Sequence, residues 1–360
     1  DSGASVGIAN KMLKLLGEKS VVLVVMLTGL VLSYGGIGTF IIAFSLYPIA
    51  VALFQKADIP KKLIVATIMV CPVTVCMAML PGSPSTQNLI PTQYFGTTAY
   101  AGASIGLICS VIMFVSAYLF LNWQIKKAKA AGEHFVASPG EDIMDLNAVD
   151  EGKTPSIGAC FAPIVVLLVL MFGIQSLTSI PSSYAVAIAM ACAIIVGCVL
   201  YRDRLNVKEA VSNGAGGGLS SLIATSSIMG FGSVVSASPA YESITTALVN
   251  MDANPLITAL ISINVIAAIT GSSAGGLNIF LSSMGEYLAA SGLNMAMLHR
   301  VVCIASSGFD AMPHASGMVV CNQIAKTSQK DTYKYVFITC AIMPFCCAIL
   351  ACIIGTLGIV

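Results

Sequence analysis

The sequence predicts an all-α, polytopic membrane protein, and three observations carry that prediction. Of 360 residues, 57% are hydrophobic and only 9% charged, against roughly 25% charged in an ordinary soluble domain. Mean hydropathy is +0.91, so the chain lacks the polar cover needed to face water on all sides. The uncharged stretches 21–55, 63–125, 154–201, 210–241, 253–285 and 335–360 each exceed the roughly 20 residues that a spanning helix requires. A lipid bilayer is therefore the expected solvent. A net charge of +1 without a basic tract excludes nucleic acid as a partner, because neutralising phosphates takes clustered Lys and Arg.

Short Lys- and Arg-rich loops stay on the cytoplasmic side, which orders the crossings. With Lys56/Lys61/Lys62, Lys126/Lys127/Lys129, Arg202/Arg204/Lys208 and Lys326/Lys330/Lys334 on that side, residues 63–80 and 101–122 form one pair of spans. Residues 157–178 and 184–201 form the next. Between these pairs lies the one strongly polar segment, holding ten of the 33 charges and punctuated by Pro139, Gly140 and Gly152. It reads as a solvated cytoplasmic linker, residues 123–156, joining a first membrane repeat (1–122) to a second (157–360). Glu286, Asp252 and the His299-Arg300 pair read as span ends. The twelve cysteines stand in apolar runs without a CxxC pair and read as small hydrophobes.

The repeat is visible in the sequence. Ser2-Gly3-Ala4 followed by Ile8 recurs as Ser238-Pro239-Ala240 followed by Ile244, an offset of 236. The same offset lays Leu32-Ser33-Tyr34-Gly35-Gly36 on Ala268-Ile269-Thr270-Gly271-Ser272. Internal repeats are an architecture of secondary transporters. Carried through, the offset leaves the first repeat short by roughly 80 residues, about three spans. The chain is accordingly expected to start inside a longer protein, at Asp1 rather than at a Met.

Four segments are too rich in Gly, Ser, Pro and Asn for lipid-facing helices: 33–38, 81–96, 213–238 and 271–278. Irregular backbone at membrane depth survives only where protein or a water-filled cavity satisfies it. These segments are the expected helix breaks or re-entrant hairpin tips. A broken helix aims its free N–H groups at the gap, which suits a carboxylate. Candidate substrate-binding residues are thus Ser2, Gly3, Gly35, Gly36, Ser83, Ser85, Thr86, Asn88, Ser238, Gly271, Ser272 and Ser273. In Pro81-Gly82-Ser83-Pro84-Ser85-Thr86-Gln87-Asn88, two prolines forbid a continuous helix. Its counterpart is Ser306-Ser307-Gly308-Phe309-Asp310-Ala311-Met312-Pro313-His314-Ala315-Ser316-Gly317, where the spacing slips by about four residues.

Asp310 and His314 lie in uncharged surroundings, and an intramembrane ionisable group is a functional candidate by default. The pair either relays a proton or bonds backbone carbonyls at a helix end. Glu242 is a third candidate for proton coupling. Motifs of ATP-driven or hydrolytic chemistry (GxxxxGK[ST], HExxH, GxSxG) do not occur in the sequence, which points away from an enzyme or a pump.

Tyr34-Gly35-Gly36, Leu80-Pro81-Gly82-Ser83-Pro84 with Gln87-Asn88 and Pro91-Thr92, Thr270-Gly271-Ser272 and Asp310-Ala311-Met312-Pro313-His314 together resemble the gluconate permease (GntP) family, over essentially the whole chain. The resemblance implies a proton-coupled symporter of gluconate or a related small hydroxy or organic acid in a cytoplasmic (plasma) membrane, with no cofactor and with H⁺ as the coupling ion. It also implies inverted repeats with paired re-entrant hairpins, an elevator-like shift of one domain and, by analogy, a homodimer. One departure is that Ala315-Ser316-Gly317 follows His314, where gluconate carriers tend to have Asn and Asp. This favours short hydroxy acids over gluconate itself. With no Arg expected in the site, a neutral or zwitterionic substrate such as a D-amino acid stays open. The alternative coupling ion is Na⁺, held by Asn88, Ser83 and exposed carbonyls.

Overall fold

A computed structural model of the chain describes residues 2–4, 7–8, 11, 20–141, 143, 155–178, 180–240, 243, 246 and 254–360. Every regular element among them is helical. After α1 (Val21–Tyr34) and α2 (Thr39–Lys56) comes α3 (Lys61–Met79), which widens into a π-helix over Cys71–Met79. A short helix α4 (Thr86–Phe95) and the long α5 (Ala103–Ala130) follow. The hairpin α6 (Ile157–Leu177) and α7 (Ser182–Leu200) leads to α8 (Val207–Ser236). The chain closes with α9 (Pro255–Thr270), α10 (Ser273–Ala289), α11 (Met295–Ser306), α12 (Ser316–Ile324) and α13 (Gln329–Thr356).

Six helices among the described residues are long and apolar enough to cross a membrane: α2, α3, α5, α6, α7 and α13. The expected crossings 63–80, 101–122, 157–178 and 184–201 fall on α3, α5, α6 and α7. Apolar helices α1, α9 and α11 are shorter, and α1 and α9 stop at the expected breaks. Gly271 ends α9 in the left-handed region (φ 59°), and the Ser272 hydroxyl then accepts the Gly275 N–H (3.1 Å) to start α10. That is an αL stop followed at once by an N-cap. Gly36 turns the chain between α1 and α2 the same way, at φ 82°.

Helix order repeats. A hairpin (α1–α2), a third helix, a loop, a short helix and a long helix recur as α9–α10, α11, residues 307–315, α12 and α13. In the first set Gly36 lies 3.6 Å, measured from an added Cβ, from the Pro84 ring 48 residues on. In the second, Gly271 lies 3.1 Å from Ala315 Cα, 44 residues on. In both sets, then, a left-handed glycine at the hairpin turn meets the loop that follows the third helix, although the two glycines stand one position apart in the 236-residue offset.

One core joins both sets: Met26, Leu46, Ile64, Met79, Ile105, Ile263, Phe280, Leu298 and Val336 belong to a single buried cluster. The α6–α7 hairpin has its own small core of Leu167, Met171, Val186 and Ala189, against which Leu89 and Tyr100 pack.

Two expectations are corrected. Residues 213–238 are not a break, because α8 runs unbroken to Ser236. A Cβ added at its Gly214, Gly216 or Gly218 would meet nothing within 4 Å, and a helix satisfies its own amides whatever its side chains. The linker is also more than a connector. Helix α5 runs on to Ala130, and the chain after it docks on the ends of α2, α3 and α12, with Ile143 packed on the main core.

Gly276 lets α10 approach α9, since an added Cβ would stand 2.8 Å from Ala267 Cα. Glycine in a helix ordinarily costs about 0.5–1 kcal/mol relative to alanine. We expect Gly214→Ala, in open space, to raise thermal stability in detergent by that much. Gly276→Ala should lower it by about 1–3 kcal/mol as the hairpin is forced apart.

Candidate functional site

The Pro81–Asn88 loop shapes itself with its own polar groups. Gly82, at φ 75°, donates its N–H to Ala99 O (2.9 Å), and the Tyr34 hydroxyl donates to Pro81 O (2.9 Å). Ser85 caps α4 by accepting the Asn88 N–H (3.3 Å) and donates to Met77 O (2.6 Å). Asn88, fully buried, donates to Ser83 O (2.9 Å) and Ala99 O (2.8 Å). Its Oδ1 faces His299 Nε2 at 3.2 Å, while His299 Nδ1 meets the Thr97 hydroxyl at 2.7 Å. With both Asn88 N–H bonds spent on carbonyls, the imidazole must carry its proton on Nε2 and accept from Thr97.

Beneath this loop lies a residue pair that sequence reasoning placed wrongly. His299 and Arg300 are both 0% exposed, so they do not stand in solvent as the charges at a span end would. The Arg300 guanidinium donates to Ala101 O through Nε (3.0 Å) and Nη2 (2.8 Å), to Met79 O (3.3 Å) and to Ala99 O (3.2 Å). Room for it comes from Gly102 and Gly106: added Cβ atoms there would sit 2.5 Å from Arg300 Cβ and 3.2 Å from its Cδ. That small-xxx-small spacing at the start of α5 was the available signal. The expectation of a site without Arg is corrected to this extent: an Arg braces the loop from below, with carbonyls as its partners.

Four segments converge beside the loop. Gln87 Nε2 donates to the Ser273 hydroxyl at the start of α10 (2.8 Å), a bond between the two helix sets. The Asp310 carboxyl, half-buried, faces the hydroxyl and N–H of the same Ser273 and the Ala311 N–H. His314 lies exposed against Gly271, its ring 3.1 Å from an added Cβ. Gln87, missing from the candidate residues, is the side chain that joins the two loops; the Gln-Asn pair after two prolines was its only mark in the sequence. The Cys303 thiol holds Gln87 from behind through its carbonyl (3.1 Å).

The remaining candidates fall elsewhere. Ser2, Gly35 and Gly36 line a cavity of about 430 Å³ whose other walls are apolar, from Ile164 and Leu167 of α6 to Met190 and Ile194 of α7. Gly3 is left-handed at φ 76° beside it in sequence. Thr86 is exposed and donates to Gln87 Oε1 (3.1 Å), so it steadies the Gln87 amide. Ser83 is fully buried, its hydroxyl 3.7 Å from the Cys76 thiol. Ser272 serves as the α10 cap, and Ser238 lies just past the end of α8. Glu242 lies outside the described residues. Of the twelve candidate binding residues, Gly271 to Ser273 therefore stand with Asp310 and His314, while Ser83, Ser85 and Asn88 are occupied inside the protein.

A site of this kind offers hydroxyls, an amide and a carboxyl at the start of a helix, flanked by an imidazole. It can order a small polar molecule and hold a proton. Among the described residues no group of three or more His, Cys, Asp or Glu side chains comes together to hold a metal ion. No family model matches the chain. It is 30% identical over 373 aligned positions, covering 93% of this chain and 79% of the relative, to the uncharacterized transporter YxjC of Bacillus subtilis strain 168. Taken with the six membrane-length apolar helices among its described residues, this makes the chain a multi-pass membrane protein that belongs to the same transporter family as YxjC.

Proposed function

We propose that the protein is a proton-coupled symporter of the plasma membrane that imports a small hydroxy or other organic acid. The observation that carries this reading is the Gln87–Ser273 bond, which brings the loops of the two helix sets together where Asp310 and His314 also lie. Substrate hydroxyls would bond Ser272, Ser273 and Gln87, and the positive end of the α10 dipole suits a carboxylate. Asp310 already occupies that helix start. Its protonation would remove a competing negative charge, which links proton binding to anion binding.

The small core inside the α6–α7 hairpin supports an elevator-like step. Both helix sets share one core and would move as a body, while the hairpin, which meets that core through Cys160 at the start of α6, would belong to the fixed part. The same set-by-set recurrence supports inverted repeats. Sodium coupling through Asn88 is less favoured, because its side chain is already committed to His299, Ser83 and Ala99.

The test is reconstitution in liposomes with a panel of labelled organic acids and D-amino acids, under a proton gradient and a sodium gradient applied separately. Accumulation of an organic acid under the proton gradient alone is expected. Accumulation driven only by sodium, or of no solute at all, would overturn the proposal.

A further inference from the structure

The segment that leaves α5 returns to the membrane body and is bonded there along its length. The Glu133 carboxylate pairs with Lys62, His134 Nδ1 lies 2.7 Å from Asp58 Oδ2, and the Phe135 N–H donates to Asp58 Oδ1 (2.9 Å). Lys61 Nζ donates to the Ser138 hydroxyl (2.6 Å), which itself donates to Lys326 O (2.7 Å). Lys326 Nζ donates to Gly140 O (3.4 Å). Glu141 sits deepest: its side chain is 3% exposed and lies 2.7 Å from Lys61 Nζ, itself 7% exposed. The Tyr47 hydroxyl bonds the same carboxylate and lies 3.0 Å from Ala325 O.

A second observation points to the same segment. Among the described residues only two that are not glycine have a left-handed backbone, Asp58 and Lys326, both at φ 49°. Such conformations are strained and persist where the surroundings hold them, often at switch regions. Here one lies in the α2–α3 turn and the other in the α12–α13 turn, and each is bonded by the 133–141 segment. The far end of α3 opens into the Pro81–Asn88 loop, and α12 begins directly after His314. The segment therefore grips the opposite ends of the elements that carry the two site loops.

We propose that residues 133–141 are a latch, seated by Glu141 between Lys61 and Tyr47, which holds the two strained turns and through α3 and α12 sets the mobility of the site loops. A buried ion pair suits a latch. It adds little net stability over an apolar pair, yet losing one partner leaves a buried charge alone. The seat is also insensitive to pH near neutrality. Burial alone would raise the Glu141 carboxyl, but bonds from Lys61, Tyr47 and the Ser138 N–H hold it below its ordinary value. Its contribution is present above that ordinary value and is lost only as pH falls through the lowered one. Asp58, Glu133, His134, Lys62, Lys129 and Lys326 are the other charged or titratable groups facing the segment.

Hydrogen exchange of the purified protein tests the latch without reference to what is carried. In Glu141→Gln, amides of 133–141 should exchange about tenfold faster, and those of 80–85 and 307–315 should accelerate with them. The paired change Lys61→Met with Glu141→Leu, which keeps an apolar seat, should return all three segments toward wild-type rates. Should Glu141→Gln fail to fold, Tyr47→Phe gives the same reading in smaller degree. Faster exchange confined to 133–141 would reduce the segment to a tether, and unchanged exchange throughout would mean that Glu141 seats nothing; either result overturns the proposal.

Discussion

Arg300→Met should destabilise the protein by about 2–6 kcal/mol and abolish transport in whatever protein survives. The guanidinium makes four hydrogen bonds to the carbonyls of Met79, Ala99 and Ala101. Ala99 O keeps the Gly82 N–H and the Asn88 amide as donors, but the other two carbonyls lose their side-chain donor, at about 1–3 kcal/mol for each buried acceptor left unpaired. Arg300→Lys is the sharper test. It keeps the charge but replaces a planar fork, with Nε and both terminal nitrogens bonded here, by a compact ammonium that cannot span three carbonyls. We expect it to fare no better than methionine, because a buried cation with fewer bonds is costly. The measurement is the fraction of monodisperse protein left after heating in detergent. Wild-type behaviour in either variant would mean that the loop stands without Arg300. Loss of transport follows because the braced loop carries Gln87, whose bond to Ser273 is 2.8 Å long and depends on the path of residues 80–101.

What the sequence showed and what it hid divide along physical lines. Spans were legible because lipid imposes length and apolarity together, and the breaks at Gly36 and Gly271 were legible because a left-handed turn at membrane depth calls for glycine. The same reasoning misread 213–238, since glycine content says that a helix can break, and only neighbours decide whether it does. Ser83, Ser85 and Asn88 looked like ligand groups for a related reason. A loop buried away from water needs its own hydrogen bonds, and composition does not tell a polar group that lines a cavity from one that satisfies the loop. His299 and Arg300 were hidden by distance: the carbonyl partners of Arg300 lie 199 residues away or more, so the pair looked like a charged span end. The docked segment after α5 was hidden by its charges, which a rule of thumb assigns to solvent and which here pair with Lys61, Lys62 and Asp58.

Asp310→Asn should uncouple transport from the proton gradient while leaving exchange of substrate across the membrane. The substitution keeps the shape of the side chain and its place beside Ser273, but an amide neither binds nor releases a proton near neutral pH. One pH unit is worth about 1.4 kcal/mol per proton, so wild-type protein carrying one proton with each monoanion should concentrate the anion about tenfold for each pH unit of the gradient. The variant should bring the labelled acid only to equal concentrations inside and out. Counterflow, in which unlabelled acid inside drives entry of labelled acid, should persist, because it needs binding and alternating access but no net proton movement. His314→Ala separates the two candidates: an exposed ring against Gly271 is placed to shape entry, so its loss should slow uptake and leave the final accumulation unchanged. Tenfold accumulation by Asp310→Asn would remove Asp310 from the coupling step, and loss of accumulation in His314→Ala alone would transfer that role to the imidazole.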